Sequence, residues 1–114
     1  MDNTITIIRG DDQSLDLTIK NADGSAFNLT DCTVYFTVKK RFHDSDTDAI
    51  IKKDVTVHTN AAGGLTTVEL TKTDTTIDAR KYLWDIQVKD SSDKIFSVVY
   101  GDFIVKHDVT NRTT

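Results

Sequence analysis

The sequence predicts an all-β protein, an antiparallel β-sandwich of about seven strands. Three observations lead to this fold class. Apolar and polar residues alternate in short segments along the 114-residue chain, and clusters of Asp, Asn and Gly separate these segments. Of the 18 acidic residues, Glu69 is the only glutamate. Because aspartate favours turns and disfavours helix interiors, this bias also indicates a loop-rich β protein.

The strands are expected to follow one another along the chain. Their ranges are 4–8, 14–20, 33–39, 49–58, 65–70, 82–89 and 94–105. The third strand is expected to be central, because Val34 and Phe36 lie on one face and Tyr35 lies on the other. The sixth strand shows the strongest alternation, and Trp84 on its apolar face is expected in the core.

Two of these strands carry an irregularity in their pattern. Residues 52–54, Lys-Lys-Asp, interrupt the fourth strand and indicate a bulge or a short turn. Gly101 permits a kink in the seventh strand. Between the third and fourth strands, residues 40–48 form the most polar segment of the chain, and a loop is expected there.

Turn chemistry predicts the remaining connections. Turns are expected at residues 9–12, 21–24, 60–64 and 90–93. The Asn-Ala-Asp-Gly segment at 21–24 is the clearest hairpin or tight-turn signal. After the fifth strand, the hydroxyl of Thr71 or Thr73 is suited to cap one or two helical turns, with Ile77 facing inward. We therefore expect one short helical connector near residues 72–80.

Length, charge and cysteine content restrict the class of protein. We expect one domain over residues 1–109 and a polar C-terminal tail over residues 110–114, since the chain is long enough to bury a core without cross-links. The single Cys32 cannot form an internal disulfide, which indicates folding in a reducing compartment. A net charge of −4 argues against a nucleic-acid partner. The chain has neither a signal-like start nor an apolar run of membrane-spanning length, so no membrane association is expected.

The acidic loop raises the question of a metal site. Asp44, Asp46 and Asp48 stand at alternate positions, as at the start of a calcium-binding loop. The rest of that motif is missing, because Ala49 replaces the required glycine and Val55 replaces the bidentate glutamate. A solvated acidic loop is therefore the favoured interpretation.

Other candidate sites also favour structural interpretations. The three histidines, His43, His58 and His107, are isolated in the sequence and do not indicate zinc. The Arg-Gly-Asp tripeptide at residues 9–11 lies where a strand needs a turn. Cys32 has no catalytic signature around it. We expect no catalytic residue, no cofactor and no metal.

An interaction surface is the remaining functional hypothesis. Tyr35 lies on the face opposite Val34 and Phe36, so it is the more plausible exposed ring. The irregular loop is where the alternating pattern breaks. The candidate surface comprises Tyr35 together with Phe42, His43, Asp44, Asp46 and Asp48.

The amino-acid sequences of several segments resemble those of a known family. The quoted segments are Arg-Gly-Asp (9–11), Asn-Ala-Asp-Gly (21–24), Phe27 to Val38, Tyr-Leu-Trp-Asp-Ile-Gln-Val (82–88) and Gly-Asp-Phe-Ile-Val (101–105). They are similar to small immunoglobulin-like β-sandwich modules of tailed bacteriophages and prophages, including the N-terminal domain of baseplate upper proteins. The chain departs from a typical member in lacking proline after residue 71 and in its charged segment at 40–48.

This resemblance implies an antiparallel immunoglobulin-like fold and a non-enzymatic part of the virion, in the tail, baseplate, neck or capsid. The implied partners are other virion proteins, with further copies of this chain as an additional possibility. The protein would be made in the bacterial host cytoplasm and assembled into the virion. An alternative function is a carbohydrate-binding module that recognises a host surface polysaccharide through Tyr35 and the adjoining loop.

Overall fold

The computed structural model describes residues 4–21, 23–40 and 49–107, except for the side chains of residues 97 and 98. It contains seven strands and one short helix within these ranges. They are β1 (Ile5–Ile8), β2 (Gln13–Thr18), β3 (Thr33–Lys39), β4 (Ile51–Val55), β5 (Leu65–Leu70), α1 (Lys72–Thr75), β6 (Lys81–Lys89) and β7 (Ile95–Lys106). The predicted all-β class is confirmed. Residues 41–48 of the predicted 40–48 loop and the predicted tail at 110–114 lie outside the described residues.

The strands form two sheets. One has five strands in the order β1-β7-β6-β3-β4, and the other pairs β2 with β5. All pairings are antiparallel except that of β1 with β7, which is parallel from Ile5 opposite Phe103 to Ile8 opposite Lys106. The expectation of a purely antiparallel sandwich is therefore wrong at this edge. A short turn forces neighbouring strands to be antiparallel, but the first and last strands of a chain are under no such constraint.

The core lies between the two sheets and follows the predicted alternation. In β3, Val34, Phe36 and Val38 are fully buried, and β6 buries every second side chain from Tyr82 to Val88. The ring of Phe36 lies 5.9 Å from that of Trp84, measured between centroids. Trp84 is 4% exposed, so the prediction that it packs in the core is confirmed. The predicted central position of β3 is also confirmed, because β3 pairs with both β4 and β6.

The irregularity predicted in the fourth strand does not occur. β4 pairs with β3 in continuous register from Ile51 to Val55, without a bulge at residues 52–54. Lys53 is accommodated because its ammonium group reaches Asp74 Oδ2 at 2.7 Å. In β7, the strand continues through Gly101, where a kink stays a prediction, and a register shift occurs opposite Ile86 and Gln87 of β6.

The predicted helical connector is present but shorter than expected. α1 covers Lys72–Thr75 and is capped by Thr71, whose hydroxyl accepts from the backbone N–H of Asp74 at 3.2 Å. The Asp74 carboxylate in return accepts from the Thr71 N–H at 2.9 Å, which completes a capping box. Ile77 packs partly buried against the core, as predicted. Among the described residues, no helix is long and apolar enough to cross a membrane.

Candidate interaction surface

The outer face of the five-stranded sheet carries the surface on which Tyr35 lies. Because the even-numbered residues of β3 point into the core, Tyr35 and Thr37 point outward. In register, Tyr35 lies between Gln87 of β6 and Asp54 of β4. The Tyr35 side chain is half-buried between these neighbours. The ring thus points outward, but it is half-buried and not exposed, and Tyr100 is the more exposed ring at 66%.

These side chains line a shallow depression of about 340 Å³, which we call the outer-face depression. Its lining residues are Tyr35, Thr37, Lys39, Lys52, Asp54, Asp85, Gln87, Lys89 and Ile95. Three lysines and two aspartates line it, although the whole chain carries a net charge of −4. The depression therefore combines one aromatic ring with charged groups of both signs, a composition suited to binding polar or mixed surfaces.

Exposed apolar side chains adjoin this depression. Ile95, at its rim, is 60% exposed, and Tyr100, which lies opposite Asp85 in register, is 66% exposed. Both belong to β7, which runs beside β6 on the same outer face. Phe96 is different, because its ring meets that of Phe27 edge-on at 5.8 Å between centroids. The outer face thus offers two large apolar side chains near Tyr35.

The other members of the predicted surface cannot be compared with the structure. Phe42, His43, Asp44, Asp46 and Asp48 lie outside the described residues. Their contribution to the surface, and cation binding by the acidic loop, therefore stay untested. Within the ranges that the structure describes, no three His, Cys, Asp or Glu side chains are grouped so as to hold a metal ion.

His58 has a structural role that sequence reasoning missed. Its Nε2 lies 2.8 Å from the carbonyl oxygen of Cys32, and its Nδ1 lies 2.9 Å from Thr66 Oγ1. A carbonyl oxygen only accepts, so Nε2 carries a proton and Nδ1 is left to accept from the Thr66 hydroxyl in the neutral ring. His58 therefore ties the segment before β3 to β5. The sequence contains no signal for it, since the three residues are far apart along the chain.

Cys32 and Asp74 also serve the fold. Cys32 is buried, and burial raises the pKa of its thiol, with smaller contributions from Asp90 and Asp31. Burial alone would raise the pKa of the Asp74 carboxyl, but the hydrogen bonds from Lys53 and Thr71 together outweigh burial and lower that pKa. Both groups are thus held in their ordinary protonation states at neutral pH.

The Arg-Gly-Asp segment forms the turn that the sequence predicted. Gly10 has a φ of +85°, and the N–H of Asp11 donates to the Ile8 carbonyl at 3.2 Å. The Arg9 guanidinium donates through Nε to the Ile77 carbonyl at 3.0 Å. This side chain therefore fastens the turn to the segment after α1, which supports the structural interpretation.

Comparison with known families agrees with the resemblance found in the sequence. The family model of the BppU N-terminal domain matches residues 1–114. The chain belongs to this family. BppU is the baseplate upper protein of phages, so this BppU N-terminal domain is a structural domain of the phage baseplate and part of the virion. No curated protein matches the chain.

One solved structure similar to this BppU N-terminal domain is the crystal structure of the PmoD soluble domain from Methylocystis sp. ATCC 49242 (Rockwell). The TM-score is 0.51 at 11% sequence identity, and the similarity covers 88% of this chain and 76% of that one. At this identity the similarity concerns the fold alone.

Proposed function

We propose that this BppU N-terminal domain acts without catalysis, by binding other virion proteins and holding them in the baseplate. The observation that carries the proposal is the family match over residues 1–114. The local chemistry supports it, because Cys32, His58 and Asp74 are all engaged in bonds or packing that hold the fold together. The free Cys32 is compatible with synthesis in the host cytoplasm before assembly into the virion.

The outer-face depression is the proposed docking surface for a baseplate partner. Tyrosine is favoured at the centres of protein interfaces because it buries a large area with few rotatable bonds. Tyr35 lines the depression between Asp54 and Gln87, and Ile95 adds an exposed apolar side chain to the lining. Lysines and aspartates around them supply the polar rim that interfaces usually have. From the sequence alone, we also assign Phe42, His43, Asp44, Asp46 and Asp48 to the proposed surface.

Binding measurements with purified baseplate proteins of the same phage test this proposal. The domain is immobilised, and each baseplate protein is titrated against it by biolayer interferometry. We expect the Tyr35→Ala variant to weaken binding by about tenfold or more, as for a central interface aromatic. The matched control is Val57→Ser, an exposed apolar residue that is not among those lining the depression. It should change the affinity less than about twofold.

The possible results distinguish an error in the proposed function from an error in the proposed docking surface. If no baseplate protein binds the wild-type domain, the proposed function is wrong. If binding occurs but Tyr35→Ala and Val57→Ser behave alike, the domain docks elsewhere. Light scattering of the same samples reports whether further copies of this chain associate, which is a second form of protein contact within the proposal.

Carbohydrate binding is a second candidate function, and the setting of Tyr35 favours it. The half-buried ring lies between Gln87 and Asp54, whose amide and carboxylate groups are suited to hydrogen-bond sugar hydroxyls. A glycan array with host surface polysaccharides tests it. Binding that Tyr35→Ala abolishes and Tyr35→Phe retains supports a stacking platform. An array without any bound glycan removes this candidate.

A further inference from the structure

The far edge of β2 is the least protected strand edge in the described part of the molecule. β2 covers Gln13–Thr18 and pairs only with β5, so its other side has no strand partner among the described residues. An unpaired edge presents backbone N–H and C=O groups that an extended segment of another chain can join. Proteins usually protect such edges by charge, by shortness or by covering them.

The other three edge strands show these protections. The far side of β5 is bridged by the segment before it, through an isolated bridge between Asn60 and Leu65. β4 carries Lys52 and Lys53, and the latter is fixed by its ion pair with Asp74. β1 is only four residues long. By contrast, β2 has six residues and neither lysine nor proline among them.

Burial along β2 shows that its core side is incompletely covered. Leu15 lies opposite Val68, and Leu17 lies opposite Thr66, so each pair shares the inward face of the small sheet. Val68 and Thr66 are 0% and 1% exposed, whereas Leu15 and Leu17 are only half-buried. The difference follows from position, because residues 58–60 contact β5 on the side away from β2, whereas β2 has only β5 as a strand partner among the described residues. A further strand beside β2 would cover the two leucines.

The outward face of this sheet defines the charge of a suitable partner. Within β2 and β5, the charged residues are Asp16 and Glu69, both acidic and exposed. The nearest cation along β2 is Lys20, two residues beyond the strand. An added strand would place every second side chain on this outward face, and beside Asp16 a cation is attracted and an anion is repelled.

We propose that the β2 edge binds an extended segment of a partner protein in which apolar residues alternate with lysine or arginine. The apolar side chains would cover Leu15 and Leu17, and the basic ones would face Asp16. A second copy of this chain is less suitable. Two β2 edges joined together would place Asp16 and Glu69 of both copies on one face, where like charges repel. The proposal rests on the binding role proposed above and specifies the chemistry of one partner.

Three synthetic peptides test the proposal on the purified domain. The first has eight residues, with valine alternating with lysine. The second replaces lysine by glutamate. The third is the lysine peptide with every backbone amide N-methylated, which removes the N–H donors from both edges of the strand and prevents strand pairing. Hydrogen exchange of the Gln13–Thr18 amides is measured with each peptide at the highest soluble concentration.

We expect the lysine peptide to slow exchange of alternate β2 amides at least about tenfold, and the other two peptides to have no such effect. The Asp16→Asn variant, which keeps an oxygen to accept from Thr67, should weaken lysine-peptide binding roughly two- to fivefold. Asp31→Asn is the matched control and should leave the affinity unchanged, because Asp31 is an exposed aspartate outside β2 and outside the outer-face depression, with a φ of 60° that asparagine tolerates. Circular dichroism of both variants verifies that they are folded.

Several results would overturn the proposal. They are equal binding of the three peptides, protection of β1 or β4 instead of β2, and equal effects of Asp16→Asn and Asp31→Asn. A dimer that protects the same amides would assign the edge to self-association and exclude the basic partner. Because this experiment contains no baseplate protein, it can fail while the binding role survives, and it can succeed if that role is wrong.

Discussion

Gly64 lies at a position where an added methyl group has no room, which makes Gly64→Ala a sharp perturbation of the fold. Its φ of +74° falls in the left-handed region that side-chain-bearing residues rarely adopt. A Cβ at this position would collide with the carbonyl oxygen of Ile19 and lie 2.9 Å from that of Phe27. Both obstacles are backbone atoms, so no side-chain rotation relieves the contact.

The magnitude follows from two contributions. The left-handed conformation costs a non-glycine residue about 1–2 kcal/mol. Relieving the collision requires moving backbone that is hydrogen-bonded, because the Ile19 N–H donates to the Gly64 carbonyl at 2.7 Å and the Phe27 N–H donates to the Ile19 carbonyl at 3.0 Å. Losing one such buried bond costs about 1–3 kcal/mol. We therefore expect Gly64→Ala to lower the free energy of unfolding by about 2–5 kcal/mol.

Gly24→Ala is the matched control for this substitution. Gly24 has a φ of +90°, but a Cβ there would have no heavy atom within 4 Å. It should therefore show only the conformational cost of about 1–2 kcal/mol. Urea unfolding followed by fluorescence of the buried Trp84 measures both values. If Gly64→Ala lowers the free energy of unfolding no more than Gly24→Ala does, the inferred close approach of Gly64 to the backbone of Ile19 and Phe27 is wrong.

Three further predictions concern titratable groups. The pKa of Asp74 is lowered from 3.8, so its stabilising effect is complete above that value and is lost as pH falls through the lower pKa of the folded state. Asp74→Asn should lower the free energy of unfolding by about 1 kcal/mol at pH 7, because it weakens the helix cap and the ion pair with Lys53. Between pH 7 and 2, the free energy of unfolding should then fall less steeply for the variant than for the wild type. An unchanged pH dependence would contradict this. Cys32 should react with a thiol reagent at pH 8 only as fast as the protein opens, because burial shields the thiol and raises its pKa. Rapid labelling of the folded protein would argue against the buried position of Cys32. His58→Ala should lower the free energy of unfolding by about 1–3 kcal/mol. A double-mutant cycle with Thr66→Val should show coupling between the two side chains, and strictly additive effects would contradict the inferred hydrogen bond.

Sequence reasoning succeeded where the signal is local. Alternation along residues 82–89 predicts β6 because the same face of this strand is buried along its whole length. The hydroxyl of Thr71 and the carboxylate of Asp74 are three residues apart, so the helix start could be predicted from neighbouring residues. The outward position of Tyr35 follows from the two-residue period of β3.

The remaining features depend on contacts between distant segments. Lys53 interrupts the alternating pattern of the fourth strand, and the ion pair with Asp74 that accommodates it joins residues far apart along the chain. The parallel pairing of β1 with β7 joins the two ends of the described chain, for which no turn defines a direction. The open edge of β2 is a property of the strand order, which no local pattern contains.

Immunogold electron microscopy of purified phage particles tests whether this protein is a baseplate component. Particles are labelled with an antibody against the domain, and particles from a strain lacking the gene serve as the control. We predict gold at the tail tip of the wild-type particles and none on the control. Gold confined to the capsid or the tail tube, or particles that never contain the protein, would contradict the baseplate role.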